Sequence, residues 1–153
     1  MSLSFYHQNK VRQHFTDLPV LIECPRCHKC AEVTRRPHRK KKHMFVARCV
    51  CLACSFVKEK DIKKESYYSH GLDMYFDYPL YLRISFGSQV LWAYNIEHLM
   101  YLGRFIQSGI RDTLYHGSVA SKLPKWIKQA KNRQELLKKI QMLREKYIVG
   151  ANR

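Results

Sequence analysis

Apolar and polar positions change their period along the chain, and the changes mark elements. Residues 31–36, 44–50 and 55–60 are short runs rich in β-formers and bounded by turn residues, the signature of strands. Residues 79–85 and 89–95 are two more, joined through Phe86, Gly87 and Ser88, a length and composition that suit a β-hairpin. From Ile96 the period becomes helical: Ile96, Leu99, Leu102 or Gly103, Ile106 and Ile110 recur on one face. Asn95 can cap that helix, Glu97 complements its dipole, and Gly117 is a stop. Pro124 opens a further helix with Trp126, Ile127 and Ala130 on one side and Lys125, Lys128 and Lys131 on the other. Asn132 and Glu135 form a capping-box variant before a last helix, whose stripe is Leu136, Leu137, Ile140, Leu143 and Tyr147. Lys138, Lys139, Arg144 and Lys146 cover its other faces. Strands followed by helices predict an α+β fold, with residues 1–20 as a short arm or helix.

Composition narrows the class. Of 153 residues 46% are hydrophobic and 12% aromatic, enough for a core and too many for a mainly disordered chain. No apolar run approaches the roughly 20 residues of a membrane span. The first ten residues lack the charged and apolar regions of a secretory signal. The expectation is a cytoplasmic protein with no membrane partner.

Charge changes the picture more. The net formal charge is +16, from 28 Lys and Arg against 12 Asp and Glu. It falls in two blocks, net +10 over residues 24–64 and net +8 over 118–153, around a middle of net −2 over 65–117. Segregation of this kind is the electrostatic footprint of a polyanion partner; two separately solvated faces are the plainer alternative.

Six cysteines form two clusters, Cys24, Cys27 and Cys30, then Cys49, Cys51 and Cys54. Two C-x-x-C pairs separated by 23 residues fit a structural zinc site, and nothing in the sequence suggests an exported disulfide framework. Each C-x-x-C turn aims two sulfurs at one ion, and two turns complete a tetrahedron. The expected ligands are Cys24, Cys27, Cys51 and Cys54, holding one Zn²⁺. Pairing Cys27 with Cys30, or using Cys49 in place of Cys51, stays open, with buried free thiols the expected role of Cys30 and Cys49. His28 and His43 are weaker ligand candidates, better read as surface residues. Many such turns carry Gly where His28 and Ser55 stand here; His tolerates a left-handed backbone, Ser less so. A four-thiolate site has no open position, so it builds structure and does not activate water.

The order of turn, strand, loop, strand, turn and strand over residues 22–62 resembles the zinc-ribbon family. A second resemblance covers most of residues 24–147. It rests on Pro79-Leu80, on Leu91-Trp92-Ala93-Tyr94-Asn95 with Glu97-His98-Leu99, on Leu123-Pro124-Lys125-Trp126, and on Asn132-Arg133. These are similar to a family of bacterial proteins that carry an N-terminal zinc ribbon and have no agreed activity. The resemblance implies this order of modules, and the expected division is an arm at 1–21, a zinc ribbon at 22–64, and a hairpin with a helical basic module at 65–153. Relatives often have a further cysteine pair where Ser85-Phe86-Gly87 stands here, so no second metal site is expected.

The loop between the cysteine pairs carries Arg35, Arg36, Arg39, Lys40, Lys41 and Lys42. Like charges packed this closely repel, so the loop should project and meet phosphate. With Lys125, Lys128 and Lys131 it defines the expected function: a non-catalytic protein that binds DNA or RNA mainly through the backbone. A protein-interaction adapter for an acidic partner is the alternative. A small metal-dependent nuclease using Asp73, Asp77 and His98 is a third reading. It is disfavoured because no nucleophile elbow, phosphate loop or H-E-x-x-H occurs, and Glu97 and His98 are neighbours that a helix points apart. The aromatic run of Tyr67, Tyr68, Tyr75, Phe76, Tyr78 and Tyr81 could stack on bases, with core packing the plainer expectation for these and for Trp92 and Tyr94.

Overall fold

A computed structural model describes residues 12–63, 71–108 and 122–151. It shows an α+β fold with a four-stranded antiparallel sheet, a two-stranded hairpin and C-terminal helices. Ile110, Gly117, Tyr67 and Tyr68, and the expected boundary at 64/65, lie outside the described residues.

A short helix α1 (Arg12–Thr16) leads into β1 (Val20–Glu23), β2 (Cys30–Pro37), β3 (Phe45–Val50) and β4 (Val57–Ile62), in that spatial order. Three of these strands fall where the alternating pattern puts them, within a residue or two. β1 does not: Val20, Leu21, Ile22 and Glu23, at the end of the expected arm, form a strand because both of their edges are paired. On one edge Val20 faces Val33 and Glu23 faces Cys30. On the other, Leu21 donates its N–H to Tyr94 O (2.8 Å), Tyr81 donates to Leu21 O (3.0 Å), and Ile22 bridges Leu80. The expected boundary between arm and ribbon at 21/22 therefore cuts through a strand that joins the two parts of the molecule.

The hairpin strands are β5 (Leu82–Phe86) and β6 (Gln89–Ala93). Phe86 pairs with Gln89, so the turn is Gly87-Ser88 alone, two residues with Gly87 at φ +56°. A left-handed first position is what a tight hairpin turn needs, and Gly supplies it without a Cβ clash. Phe86 is released to stack on Trp126, ring centroids 5.1 Å apart.

Helix α2 (Ile96–Ser108) begins where expected. Asn95 Oδ1 accepts the His98 N–H (3.0 Å), and Asn95 Nδ2 donates to Phe15 O (2.8 Å) and Pro19 O (3.2 Å). One buried amide thus caps α2 and fastens α1. The helix expected from Pro124 is a single turn, α3 (Lys125–Lys128), because Gln129 is extended. A 3₁₀ turn (Ala130–Asn132) then runs into α4 (Arg133–Ala151). In place of the expected box with Glu135, the Asn132 Nδ2 donates back to Trp126 O (2.8 Å) and fixes the bend. α4 packs on α2 through Leu136, Ile140 and Leu143, with a Cβ placed at Gly103 only 3.6 Å from Ile140. Buried side chains from α1, the sheet, the hairpin and all three later helices form one core cluster.

Candidate metal centre and its surroundings

Both cysteine turns fold by the same bonds. His28 donates its N–H to Cys24 O (2.9 Å) and Cys24 donates to Lys29 O (2.8 Å). Ser55 donates to Cys51 O (2.9 Å) and Cys51 donates to Phe56 O (2.9 Å). The residue after each pair is left-handed, His28 at φ +63° and Ser55 at φ +64°. The first turn links β1 to β2 and the second links β3 to β4, so the antiparallel sheet brings them together at one end.

The four sulfurs of Cys24, Cys27, Cys51 and Cys54 lie within 4.8 Å of one another. Cys27 Sγ is 3.5 Å from Cys51 Sγ, and Cys24 Sγ is 3.7 Å from Cys54 Sγ. A tetrahedron with ~2.3 Å metal–sulfur bonds has edges of ~3.8 Å, so these sulfurs already sit at ligand spacing. The set offers four soft donors and a possible metal site. Electrostatics agrees. Burial opposes ionisation at Cys24, yet the N–H groups of Cys27 and Arg26 with two neighbouring thiols outweigh it, and its pKa falls to about 7. Burial and the neighbouring thiols then push Cys51 and Cys54 upward. Without an ion the cluster therefore holds its protons on Cys51 and Cys54; a cation among the four sulfurs would favour their release.

Cys30 and Cys49 stand outside the cluster. Burial first, then nearby acidic groups, pushes their thiols to about 12 and about 11, so both stay protonated. Cys49 is fully buried beside Val33 in the sheet. His28 is exposed, with Nδ1 3.1 Å from Glu23 Oε1, and His43 is exposed at φ +62° in the basic loop.

That loop lies at the opposite end of β2 and β3. Seven residue steps of β2 place it ~23 Å from the sulfurs. It is a folded turn, not a free projection. His38 Nδ1 accepts the N–H groups of Lys40 (3.0 Å) and Lys41 (3.1 Å), and His38 donates its own N–H to Met44 O (2.9 Å). Asp61 on β4 holds the turn from beside, 3.5 Å from both His38 Nε2 and Lys41 Nζ. Arg39, Lys40 and Lys42 are exposed on it, and Arg36 is exposed at the end of β2 beside it. Arg35 differs from them: its guanidinium is 2.7 Å from Asp17 and stacks over Phe45, so it ties the sheet to the segment before β1. Lys125 and Lys131 are exposed near the far end of the chain, and Lys128 is half-buried.

Of the two acidic candidates, Asp73 holds the backbone. Asp73 is 1% exposed, and its carboxylate accepts the N–H groups of Tyr75, Phe76 and Tyr78 at 2.6–2.9 Å. Asp77 is exposed at φ +58° in the same turn. Tyr75, Tyr81 and Tyr94 are core, whereas Phe76 and Tyr78 stack in parallel near the surface with Lys58 over both rings. His98 is buried between Phe15 and Tyr94. Sequence reasoning missed Asp17 and Asp61, the two carboxylates that partner the basic loop, because both partnerships depend on strand register. Among the described residues, no helix is long and apolar enough to cross a membrane.

No family model, curated protein or solved structure matches this chain.

Proposed function

We propose that the chain is a zinc-ribbon protein that binds nucleic acid through phosphate. The observation that carries this is the ordered cationic turn: Arg39, Lys40 and Lys42 are exposed on a loop held by His38 and Asp61, with Arg36 exposed at the strand end beside it. Holding such a turn open costs electrostatic energy that a polyanion recovers. The metal is Zn²⁺ on this reading. Four thiolates at tetrahedral spacing suit it, and a closed set of ligands gives it a structural role. Zn²⁺ would neutralise Cys24, Cys27, Cys51 and Cys54 and lock the register that presents the turn. Contacts of this kind set affinity without reading bases. The resemblance to bacterial zinc-ribbon proteins is consistent with this reading and rests on the residues quoted for it.

The test is fluorescence anisotropy over a salt series with duplex DNA, single-stranded DNA and RNA. The zinc-loaded protein is compared with a triple variant, Arg39→Ala, Lys40→Ala and Lys42→Ala. Each lost phosphate contact should flatten the log–log salt slope by ~0.9 on duplex and ~0.7 on single strands. Equal slopes overturn the role of the turn. One observation favours the second reading, a protein adapter: Leu52, at the tip of the second cysteine turn, is 93% exposed. A stoichiometric complex that survives high salt and is lost in Leu52→Asp would favour it.

A further inference from the structure

A cavity of about 180 Å³ opens between the hairpin, α2 and α3, away from the sulfur cluster and the basic turn. Its walls include Trp92, Tyr94, His98 and Trp126. These are the chain's two tryptophans with two further aromatic rings. Trp126 is backed by Phe86, and Trp92 stands edge-on to Tyr94 at 5.1 Å and to His98 at 5.9 Å. The space is smaller than the roughly 300–1,000 Å³ typical of drug-sized ligands, and suits one planar ring system.

Two polar features say what kind of ring. His98 is 3% exposed, and its Nδ1 accepts the Tyr94 N–H at 3.1 Å. Burial keeps the imidazole neutral, with its pKa lowered to about 3. A neutral imidazole that accepts at Nδ1 carries its proton on Nε2. That Nε2 is buried and has no hydrogen-bond partner among the described residues. A buried donor left unsatisfied is costly, and a ligand that supplies an acceptor recovers the cost. The second feature is charge. Arg12 and Lys122 also line the cavity. Arg12 is engaged with the Tyr94 hydroxyl at 3.0 Å, while Lys122 is exposed and makes no ion pair among the described residues.

We infer that this cavity takes an unstacked nucleotide, its base between the aromatic walls with an acceptor toward His98 Nε2 and its phosphate at the Lys122 rim. Apolar aromatic walls select a flat ring, the neutral histidine selects a ring with acceptors, and the rim selects an attached anion. A plain hydrocarbon ring satisfies only the first, and inorganic phosphate only the last. The site stands apart from the basic turn and does not depend on it. The nucleotide can come free or as part of a single strand, and stacking of this kind tolerates any base.

Both tryptophans line the cavity, so intrinsic fluorescence reports occupancy directly. The zinc-loaded full chain is titrated with UMP and AMP, with uridine, with ribose 5-phosphate, and with a single-stranded and a duplex oligonucleotide. Saturable quenching by the nucleotides is expected, about tenfold weaker for uridine, as one charge-assisted contact implies, and absent for ribose 5-phosphate. Val90, 41% exposed, also borders the cavity, so Val90→Phe should fill it and abolish quenching. Lys122→Ala should weaken UMP about tenfold and leave uridine unchanged. Quenching by mononucleotides points to a free nucleotide; quenching by the single strand and not the duplex points to a strand. Either outcome requires sensitivity to Val90→Phe. No quenching, quenching that persists in Val90→Phe, or equal quenching by ribose 5-phosphate overturns the inference. The triple variant of the basic turn separates the two proposals: nucleotide quenching retained with anisotropy lost supports the cavity alone, and anisotropy retained without quenching overturns the cavity alone.

Discussion

The four-stranded sheet and the hairpin–helix half are built on different economies. Among the described residues, Ile22 is the one large fully buried side chain of the sheet; Tyr101, Phe105, Leu82, Leu91, Leu99, Leu102, Ile106 and Leu136 belong to the hairpin and helices. Five of the six residues of β4 are exposed, and the buried positions of β2 and β3 include Ala31, Val33, Ala47 and Cys49, all small. A sheet this thin buries too little apolar surface to hold itself together. Its turns converge instead on four sulfurs. The other half converges on leucine and tyrosine. A metal can stabilise a small sheet without bulk, which leaves the sheet's surface available for charge.

The largest effect expected from this contrast follows from metal removal. A structural zinc site is worth ~10–16 kcal/mol of apparent binding energy. Chelation, or Cys27→Ser, should strip amide-exchange protection from β2, β3 and β4 while α2 and α4 keep theirs. Loss of protection everywhere at once would show that the single core cluster makes one cooperative unit, and would break the comparison. Elemental analysis of the intact protein should find one zinc per chain.

The helical half should answer to the opposite insult. Leu99 and Leu136 are fully buried, and truncating either to Ala should cost ~2–5 kcal/mol by denaturant unfolding. Metal stoichiometry should not change. Asn95 is a sharper probe, because it serves both α1 and α2. Asn95→Ala removes a helix cap and orphans two carbonyls, for ~3 kcal/mol in total. Asn95→Asp restores the cap and not the two donations, so it should recover only part of that loss.

Legibility in the sequence follows the same divide. The cysteine turns, strands and α2 cap were readable because each is local: a spacing, an alternation, a side chain three residues from its partner. Spacing put Cys24, Cys27, Cys51 and Cys54 first and left Cys30 and Cys49 as alternatives, which the fold sets outside the cluster. What was not readable depends on chain segments far apart. β1 is a strand because Tyr81 and Tyr94 supply its second edge. Arg35 reads as one more cation of the loop, and only strand register places it against Asp17. His98 reads as a candidate beside Asp73 and Asp77, and only packing buries it between Phe15 and Tyr94.

His98 also gives the helical half a pH signature. Burial lowers its pKa to about 3, below the ~6.5 of an unfolded chain. The folded protein therefore binds fewer protons than the unfolded one between these values. The contribution is complete above pH ~6.5 and is lost as pH falls toward ~3, at up to ~1.4 kcal/mol per unit. His98→Phe keeps an aromatic ring in the stack and cannot titrate. The wild type should lose ~1 kcal/mol more than this variant between pH ~6.5 and ~5.5. Release of metal in acid affects both proteins alike, so the difference between them isolates the histidine. Parallel curves would mean that the buried ring is protonated at ordinary cost.

The smallest expected effect tests the sheet at its finest grain, the twin turns. Ser55 and His28 hold φ of +64° and +63° with the same pair of backbone bonds. A left-handed residue with a Cβ costs ~1–2 kcal/mol. Gly removes that strain and returns ~0.5–1 kcal/mol by freeing the unfolded chain. Ser55→Gly should therefore stabilise the zinc-loaded protein by ~0.5 kcal/mol, a rise of ~1–2 °C in Tm. His28→Gly should gain less, because it gives up the 3.1 Å contact with Glu23. The contact is exposed at both ends and worth a few tenths of a kcal/mol, enough to offset most of the relief. If Ser55→Gly instead lowers Tm, the hydroxyl at 55 has a partner role that the twin geometry hides. The two cysteine turns would then be alike in backbone and unlike in what their fifth residue does.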